Sequence, residues 1–233
     1  MFKFKEFTIH QDRTAMKVGT DGVLLGAWVN ILKEDRKLLD IGTGTGLIAL
    51  MMAQRAAGAR IDAVEIDRDS AEQAAANIAK SSWFKHVELH NISICDFDNN
   101  FKYDLIVSNP PFFSDSLLPP QQSRSAARHT VSLTFKDLID SVVRLLELTG
   151  RFALILPPIE SNKFEMESKG RLHLSRRCEV KSRECGECKR VMSEYMLKIC
   201  ENIEETELSI REFNSNEYTR EYKALTANFY LKF

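Results

Sequence analysis

The chain has 233 residues, 44% of them hydrophobic and 28% charged, with a formal net charge of −1. That length supports one sizeable core, or one core plus a small appendage. The near-neutral charge excludes a global electrostatic pull toward nucleic acid, so such a partner would need a local basic patch. The opening Met1-Phe2-Lys3-Phe4-Lys5-Glu6 lacks the apolar run of an export signal. No apolar run approaches the ~20 residues of a membrane span. Five cysteines in such a chain read as reduced thiols, and a cytoplasmic location is expected.

Strand-like and helix-like patterns alternate along the chain. Lys37–Ile41 reads as a buried strand that runs into a glycine-rich loop, and the Ala/Met/Leu-rich residues 47–57 read as the helix behind it. Residues 60–66 predict a second strand and residues 70–79 a second helix. Residues 87–91 and 103–108 predict further strands. Residues 135–148 form an amphipathic helical pattern, with Gly150 as a C-cap, and residues 151–156 form a strand ended by Pro157-Pro158. Beyond Ser161 the pattern is less regular. It reads as the last part of the same sheet with room for a hairpin, and Phe229-Tyr230-Leu231 reads as a closing strand. The alternation implies an α/β chain with a doubly wound, Rossmann-like, mostly parallel sheet in one domain. Within residues 1–233 we expect an N-terminal cap segment (1–36), a cofactor and catalytic core (37–160) and the C-terminal part of the sheet (161–233).

The loop Asp40-Ile41-Gly42-Thr43-Gly44-Thr45-Gly46 lets backbone approach a ligand closely, and the next helix presents free N–H groups to it. Its spacing is G-x-G-x-G, not the G-x-G-x-x-G of a pyrophosphate site, and an acid precedes it. Asp40 suits a cationic ligand, and S-adenosylmethionine carries a sulfonium and an ammonium. Glu65 ends the second predicted strand, where an acid in this fold class meets a ribose diol. Asp96, after Ile92-Ser93-Ile94-Cys95 at an expected strand end, would face the adenine amine. Thr43 and Ile66 complete this set. Read singly, the same residues are a tight turn and solvated acids. Their order along the chain favours the cofactor reading.

Asn109-Pro110-Pro111-Phe112 follows the strand Tyr103–Ser108. The Asn109 side-chain oxygen and the Pro110 carbonyl can accept hydrogen bonds from the two N–H groups of one planar NH2. The amine nitrogen can then pyramidalise and direct its lone pair outward. The prolines hold the turn rigid, and Phe112 would stack on the flat system that carries the amine. Alignment supplies most of the rate, and no strong base is required. Out of context the tetrapeptide is a turn and a rigid stop. Behind the glycine loop it points to methyl transfer onto a planar nitrogen.

On these residues the chain resembles the class I S-adenosylmethionine-dependent methyltransferases with an Asn-Pro-Pro-aromatic motif. Within them it is similar to the bacterial tRNA1(Val) adenine-37 N6-methyltransferase family. The more particular likeness lies in Phe7-Thr8-Ile9-His10-Gln11-Asp12 and in Met16-Lys17-Val18-Gly19-Thr20-Asp21-Gly22-Val23-Leu24-Leu25-Gly26-Ala27-Trp28. The resemblance implies that this segment covers the cofactor pocket, with Lys17, Thr20 and Asp21 at its polar positions. It also implies N6 methylation of adenine 37 in the anticodon loop of a valine tRNA. Many relatives have Tyr where this chain has Phe112. Without the resemblance, Asp21-Gly22 reads as a turn and residues 23–28 as an apolar patch on the sheet.

An anticodon-loop adenine is already single-stranded, so extruding it costs little. Arg124, Arg128 and His129 lie in an expected loop after the motif and are candidate RNA contacts, and residues 114–125 suit a substrate lid. A second basic run, residues 171–190, is interleaved with acids and reads first as a solvated face. Cys185-Gly186-Glu187-Cys188 is a lone C-x-x-C with Cys178 and His173 nearby, and no metal site is expected. The rival activities are guanine-N2 methylation of ribosomal RNA, protein glutamine-N5 methylation, and RNA binding without catalysis. The first often carries a second copy of the domain, and the second a helical domain before the glycine loop. Fewer than forty residues precede Asp40.

Overall fold

The computed structural model describes residues 1–14, 16–111 and 133–232. After a short antiparallel pair, β1 (Phe2–Lys3) and β2 (Thr8–Ile9), come the helix α1 (Thr20–Trp28) and the strand β3 (Lys37–Ile41). Next are α2 (Leu47–Arg55), β4 (Arg60–Val64), α3 (Arg68–Ala79), β5 (Val87–His90), β6 (Tyr103–Ser108) and α4 (Phe135–Leu145). The chain ends with β7 (Leu146–Leu156), α5 (Pro158–Ser168), β8 (His173–Arg183), β9 (Cys188–Met196), β10 (Glu204–Arg211) and α6 (Arg220–Thr226).

Eight strands form one sheet in the order β10-β8-β9-β7-β6-β3-β4-β5. From β5 to β7 the neighbours are parallel, whereas β9 runs antiparallel to both β7 and β8. The central strands are apolar on both faces because helices cover both. In β3, Leu38 packs with the α2 side while Leu39 and Ile41 pack with the α4 side. In β7, Ala153 and Ile155 face one way and Phe152, Leu154 and Leu156 the other. Helix starts follow local chemistry. The Asp67 side chain accepts the Ser70 N–H at 2.8 Å, and Thr134 accepts that of Asp137 at 3.1 Å. Pro158 opens α5 from its first turn.

Four expectations are corrected. Gly150 lies inside β7 and does not cap α4, which ends at Leu145 with Leu146 as its C-cap. A β-carbon on Gly150 would fall 2.8 Å from the Tyr103 carbonyl oxygen, so close strand approach and not helix capping demands glycine there. Residues 92–95 form turns, not a strand end, and the Asp96 N–H donates to Ser93 O. Asp21-Gly22 is no turn but the first turn of α1. Phe229-Tyr230-Leu231 is not a strand; Phe229 is buried by tertiary packing, and its carbonyl accepts the Lys5 N–H at 2.9 Å. The expected hairpin beyond residue 161 is β8–β9.

Candidate active site

The site is built at the carboxyl ends of β3, β4 and β6, which lie side by side with Asp40 opposite Ala63 and Val107. Gly42, Gly44 and Gly46 take φ values of 70°, 56° and 82°, a left-handed backbone that penalises any β-carbon. A β-carbon on Gly42 or Gly44 would meet nothing within 4 Å, so the space before the loop is open. The loop is fastened from behind, since the Gly42 and Thr43 N–H groups donate to the Val64 carbonyl at 2.9 and 3.1 Å.

Asp40 is fully buried beneath the loop. Its Oδ2 accepts the Thr43 hydroxyl at 2.5 Å and the Ala49 N–H at 3.1 Å, while Oδ1 has no partner among the described residues. Burial pushes the Asp40 carboxyl up to about 7. An unpartnered buried oxygen and a raised carboxyl are features that recur at functional sites. Glu65 follows β4, with Oε2 accepting the Gly44 N–H at 2.8 Å and Oε1 the Asp67 N–H at 2.9 Å. Asn91 steadies the same corner, donating to the Glu65 carbonyl at 2.8 Å. Ile66 stands beside them, half exposed.

Asn109 continues β6 directly. Ser108, opposite Ile41, donates from its hydroxyl to the Ile41 carbonyl at 2.9 Å, which ties the motif to the glycine-loop strand. Asn109 Oδ1 is a second buried side-chain oxygen with no partner among the described residues. Helix α1 comes up against the motif, because a β-carbon on Gly22 would lie 4.0 Å from Asn109 Nδ2 and 3.1 Å from Leu47. Pro110 is buried and Pro111 exposed. Phe112, Arg124, Arg128 and His129 lie outside the described residues.

Of the N-terminal candidates, Lys17 and Thr20 are exposed, and Asp21 pairs with Arg190 Nε at 2.7 Å. Asp96 is exposed, in a turn that follows β5. Two residues of α3 escaped sequence reading. Asn77 accepts the His10 N–H at 2.9 Å and donates to the His10 and Thr45 carbonyls at 2.8 and 2.9 Å. Gln73 accepts the Asp12 and Arg13 N–H groups. Together they strap residues 10–13 against the back of the glycine loop. Polar amides at i and i+4 on an otherwise alanine-rich helix face were the available signal.

The basic run of β8 and β9 is largely engaged with protein. Arg176 lies over the Trp28 ring at 3.7 Å, Lys181 pairs with Glu207, and Arg177 pairs with Glu165 and Glu179. Asp62, Glu88 and His90 gather within metal-ligating distance, but the Arg60 guanidinium bridges the two acids at 3.2 and 3.0 Å and supplies their positive charge. Cys178, Cys185 and Cys188 belong to no such group among the described residues.

A doubly wound sheet, an acid under a left-handed glycine loop, a second acid one strand over and Asn-Pro-Pro at the third strand end define a class I methyltransferase. The family model for the methyltransferase small domain matches residues 21–155. A tRNA1(Val) (adenine(37)-N6)-methyltransferase from Phocaeicola vulgatus is 46% identical over 231 residues, covering 99% of this chain and 97% of that protein. A protein of the same name from Trichodesmium erythraeum is 44% identical over 237 residues, covering 100% and 98%. The chain belongs to this family of methyltransferases. Among solved structures, one described as a predicted O-methyltransferase from Agrobacterium tumefaciens superposes with a TM-score of 0.67 at 16% identity, over 90% of this chain and 96% of that one. It shows the fold alone.

Proposed function

We propose that the chain transfers a methyl group from S-adenosylmethionine to the N6 amine of adenine 37 in the anticodon loop of tRNA1(Val). Homologues of that name over the whole chain support this substrate. The observation that carries the chemistry is the placement of two of the orphaned buried oxygens, Asp40 Oδ1 and Asn109 Oδ1, at the ends of the paired strands β3 and β6. S-adenosylmethionine fits the first of them. It is cationic, the space before Gly42 and Gly44 is open, and Glu65 stands where a ribose diol would be met. When bound, the cofactor supplies a methyl group activated by a sulfonium.

The remaining work falls to this chain's own groups. Lys17, Thr20 and Asp21 line the mouth of the pocket from the cap segment, and Thr43, Ile66 and Asp96 complete its wall. Asn109 accepts one hydrogen of the adenine NH2 and the Pro110 carbonyl the other, which localises the nitrogen lone pair toward the methyl group. Phe112 stacks on the base, and Arg124, Arg128 and His129 meet the RNA backbone. The proton leaves after methylation, so no strong base is required. Among the described residues no helix is long and apolar enough to cross a membrane.

The test is incubation with labelled S-adenosylmethionine and total tRNA from a strain that lacks the enzyme, followed by digestion to nucleosides. Label in N6-methyladenosine is expected. Label in another nucleoside overturns the substrate but keeps the chemistry. Tight cofactor binding without label in tRNA overturns the tRNA substrate and directs the search to ribosomal RNA and then to protein acceptors.

A further inference from the structure

The outer strands overshoot the core of the sheet on the active-site side. Strand β7 ends at Leu156, which pairs with Val191, and Val191 pairs in turn with Glu179 of β8. From that level β8 continues to Arg183, which pairs with Arg211 at the end of β10. Those four further residues, at ~3.3 Å each, raise a wall about 13 Å beyond the end of β7. With four strand spacings of ~4.8 Å between β6 and β10, its outer crest stands roughly 20 Å across the sheet from Asn109.

The crest is a closed loop, residues 212–217, shut by the bridge between Arg211 and Tyr218 and by the Glu212 N–H donating to the Glu217 carbonyl at 3.0 Å. At its start Phe213 is 55% exposed. The loop holding this ring is heavily tied. The Arg183 guanidinium donates to the carbonyls of Glu212, at 2.7 Å, of Phe213, at 3.2 Å, and of Ser215, and to Asn216 Oδ1 at 3.1 Å. Glu184 accepts the Phe213 N–H at 2.9 Å. An exposed aromatic usually costs entropy to immobilise on binding. Here the neighbouring strand end has already ordered its backbone.

We infer that Phe213 is a stacking platform for an unpaired base of the RNA substrate, outside the nucleotide that is methylated. This rests on the RNA reading above. Charge does not do this job, because the crest carries only the acids Glu212 and Glu217, and beside it Arg183, Lys189 and Arg190 are interleaved with Glu184 and Glu187. Stacking needs no net charge and tolerates any base. The position suits an RNA arm, since the wall rises on the active-site side of the sheet and flanks the approach to Asn109 at a distance of roughly 20 Å. A flat base face is the RNA feature that an isolated, rigid, exposed ring recognises.

The experiment measures tRNA and S-adenosylmethionine binding separately for the wild type, Phe213→Ala and Phe213→Trp. Phe213→Ala should weaken tRNA binding about tenfold, as loss of one base–aromatic stack does, with cofactor affinity unchanged. Phe213→Trp should bind tRNA as the wild type does, and the added indole should be quenched on tRNA addition beyond the signal of Trp28 and Trp83. A tRNA dissociation constant within about twofold of wild type for Phe213→Ala overturns the proposal. So does an indole that does not respond. Sedimentation of the free proteins guards the alternative occupant, since a wild-type dimer that Phe213→Ala dissociates would assign the ring to self-association. A wild-type protein that binds cofactor but neither binds nor methylates tRNA would instead fail the parent reading.

Discussion

The cofactor edge and the outer wall of the same sheet are built on opposite principles. At the carboxyl ends of β3 and β4 the Asp40 and Glu65 side chains are buried, and Asp40 Oδ1 and, just past β6, Asn109 Oδ1 have no partner among the described residues. At β8 and β10 charged side chains are mostly half-buried or exposed and largely paired, as in Lys181 with Glu207 and Arg183 with the Glu212, Phe213 and Ser215 carbonyls. A buried polar atom without a partner costs stability. Gln54 Oε1, Arg151 Nε and Glu194 Oε2 share that condition, so what sets this edge apart is that Asp40 Oδ1 and Asn109 Oδ1 lie at adjacent strand ends beside the open glycine loop. An exposed ion pair costs and contributes little, so it shapes a surface without announcing a function. Burial thus tells the two regions apart where residue type does not.

The contrast breaks most visibly at Asn109. Asn109→Ala should lower methyl transfer by at least about 100-fold, in the range seen when one preorganised polar group is removed from a transition state, while cofactor affinity stays close to wild type. Equal loss of both, read by turnover and calorimetry, would move Asn109 out of the acceptor site.

Asp40 sharpens the comparison through pH. Burial raises its carboxyl from the usual 3.8 to about 7. Between those values the folded protein holds a proton that the unfolded chain has released. Its contribution to stability is therefore full below pH about 4 and is lost as pH rises through about 7. A bound cation prefers the ionised form. Cofactor affinity should fall below pH 7 by up to about tenfold per pH unit, and calorimetry across that window reads it directly. Asp40→Asn should flatten both dependences; a wild-type affinity that is itself flat would remove Asp40 from contact with the cofactor charge.

Glu65→Ala should weaken the cofactor by about 1–3 kcal/mol, the cost of lost hydrogen bonds to a charged group. Glu65 also accepts the Gly44 N–H on one carboxylate oxygen and the Asp67 N–H on the other, and Glu65→Gln can keep only one of these bonds, so denaturant unfolding of each variant is measured beside its affinity. An unchanged dissociation constant in both variants would sever Glu65 from the ribose. The smallest effect belongs to the surface. Arg68 pairs with Glu72 one helical turn away and is 83% exposed at its side chain. Arg68→Ala should change stability by less than about 0.5 kcal/mol in denaturant unfolding.

The sequence by itself determined the parallel core and its motifs. Lys37–Ile41 and Tyr103–Ser108 fall on their expected bounds, because an apolar run buried on both faces and stopped by Gly or Asn-Pro leaves little freedom. Asp40, Gly42, Gly44, Gly46, Glu65 and Asn109 could be grouped from local order because each follows or ends an apolar strand, and the fold brings them to one edge. What only the tertiary structure decided depends on partners distant in sequence. Gly150 is glycine because of the Tyr103 carbonyl, not because a helix ends there. Residues 20–28 coil into α1 against Leu47 and Asn109, and Asn77 holds His10, 67 positions before it, to Thr45. The height of the outer wall and the aromatic on its crest follow from strand register, which no local pattern encodes.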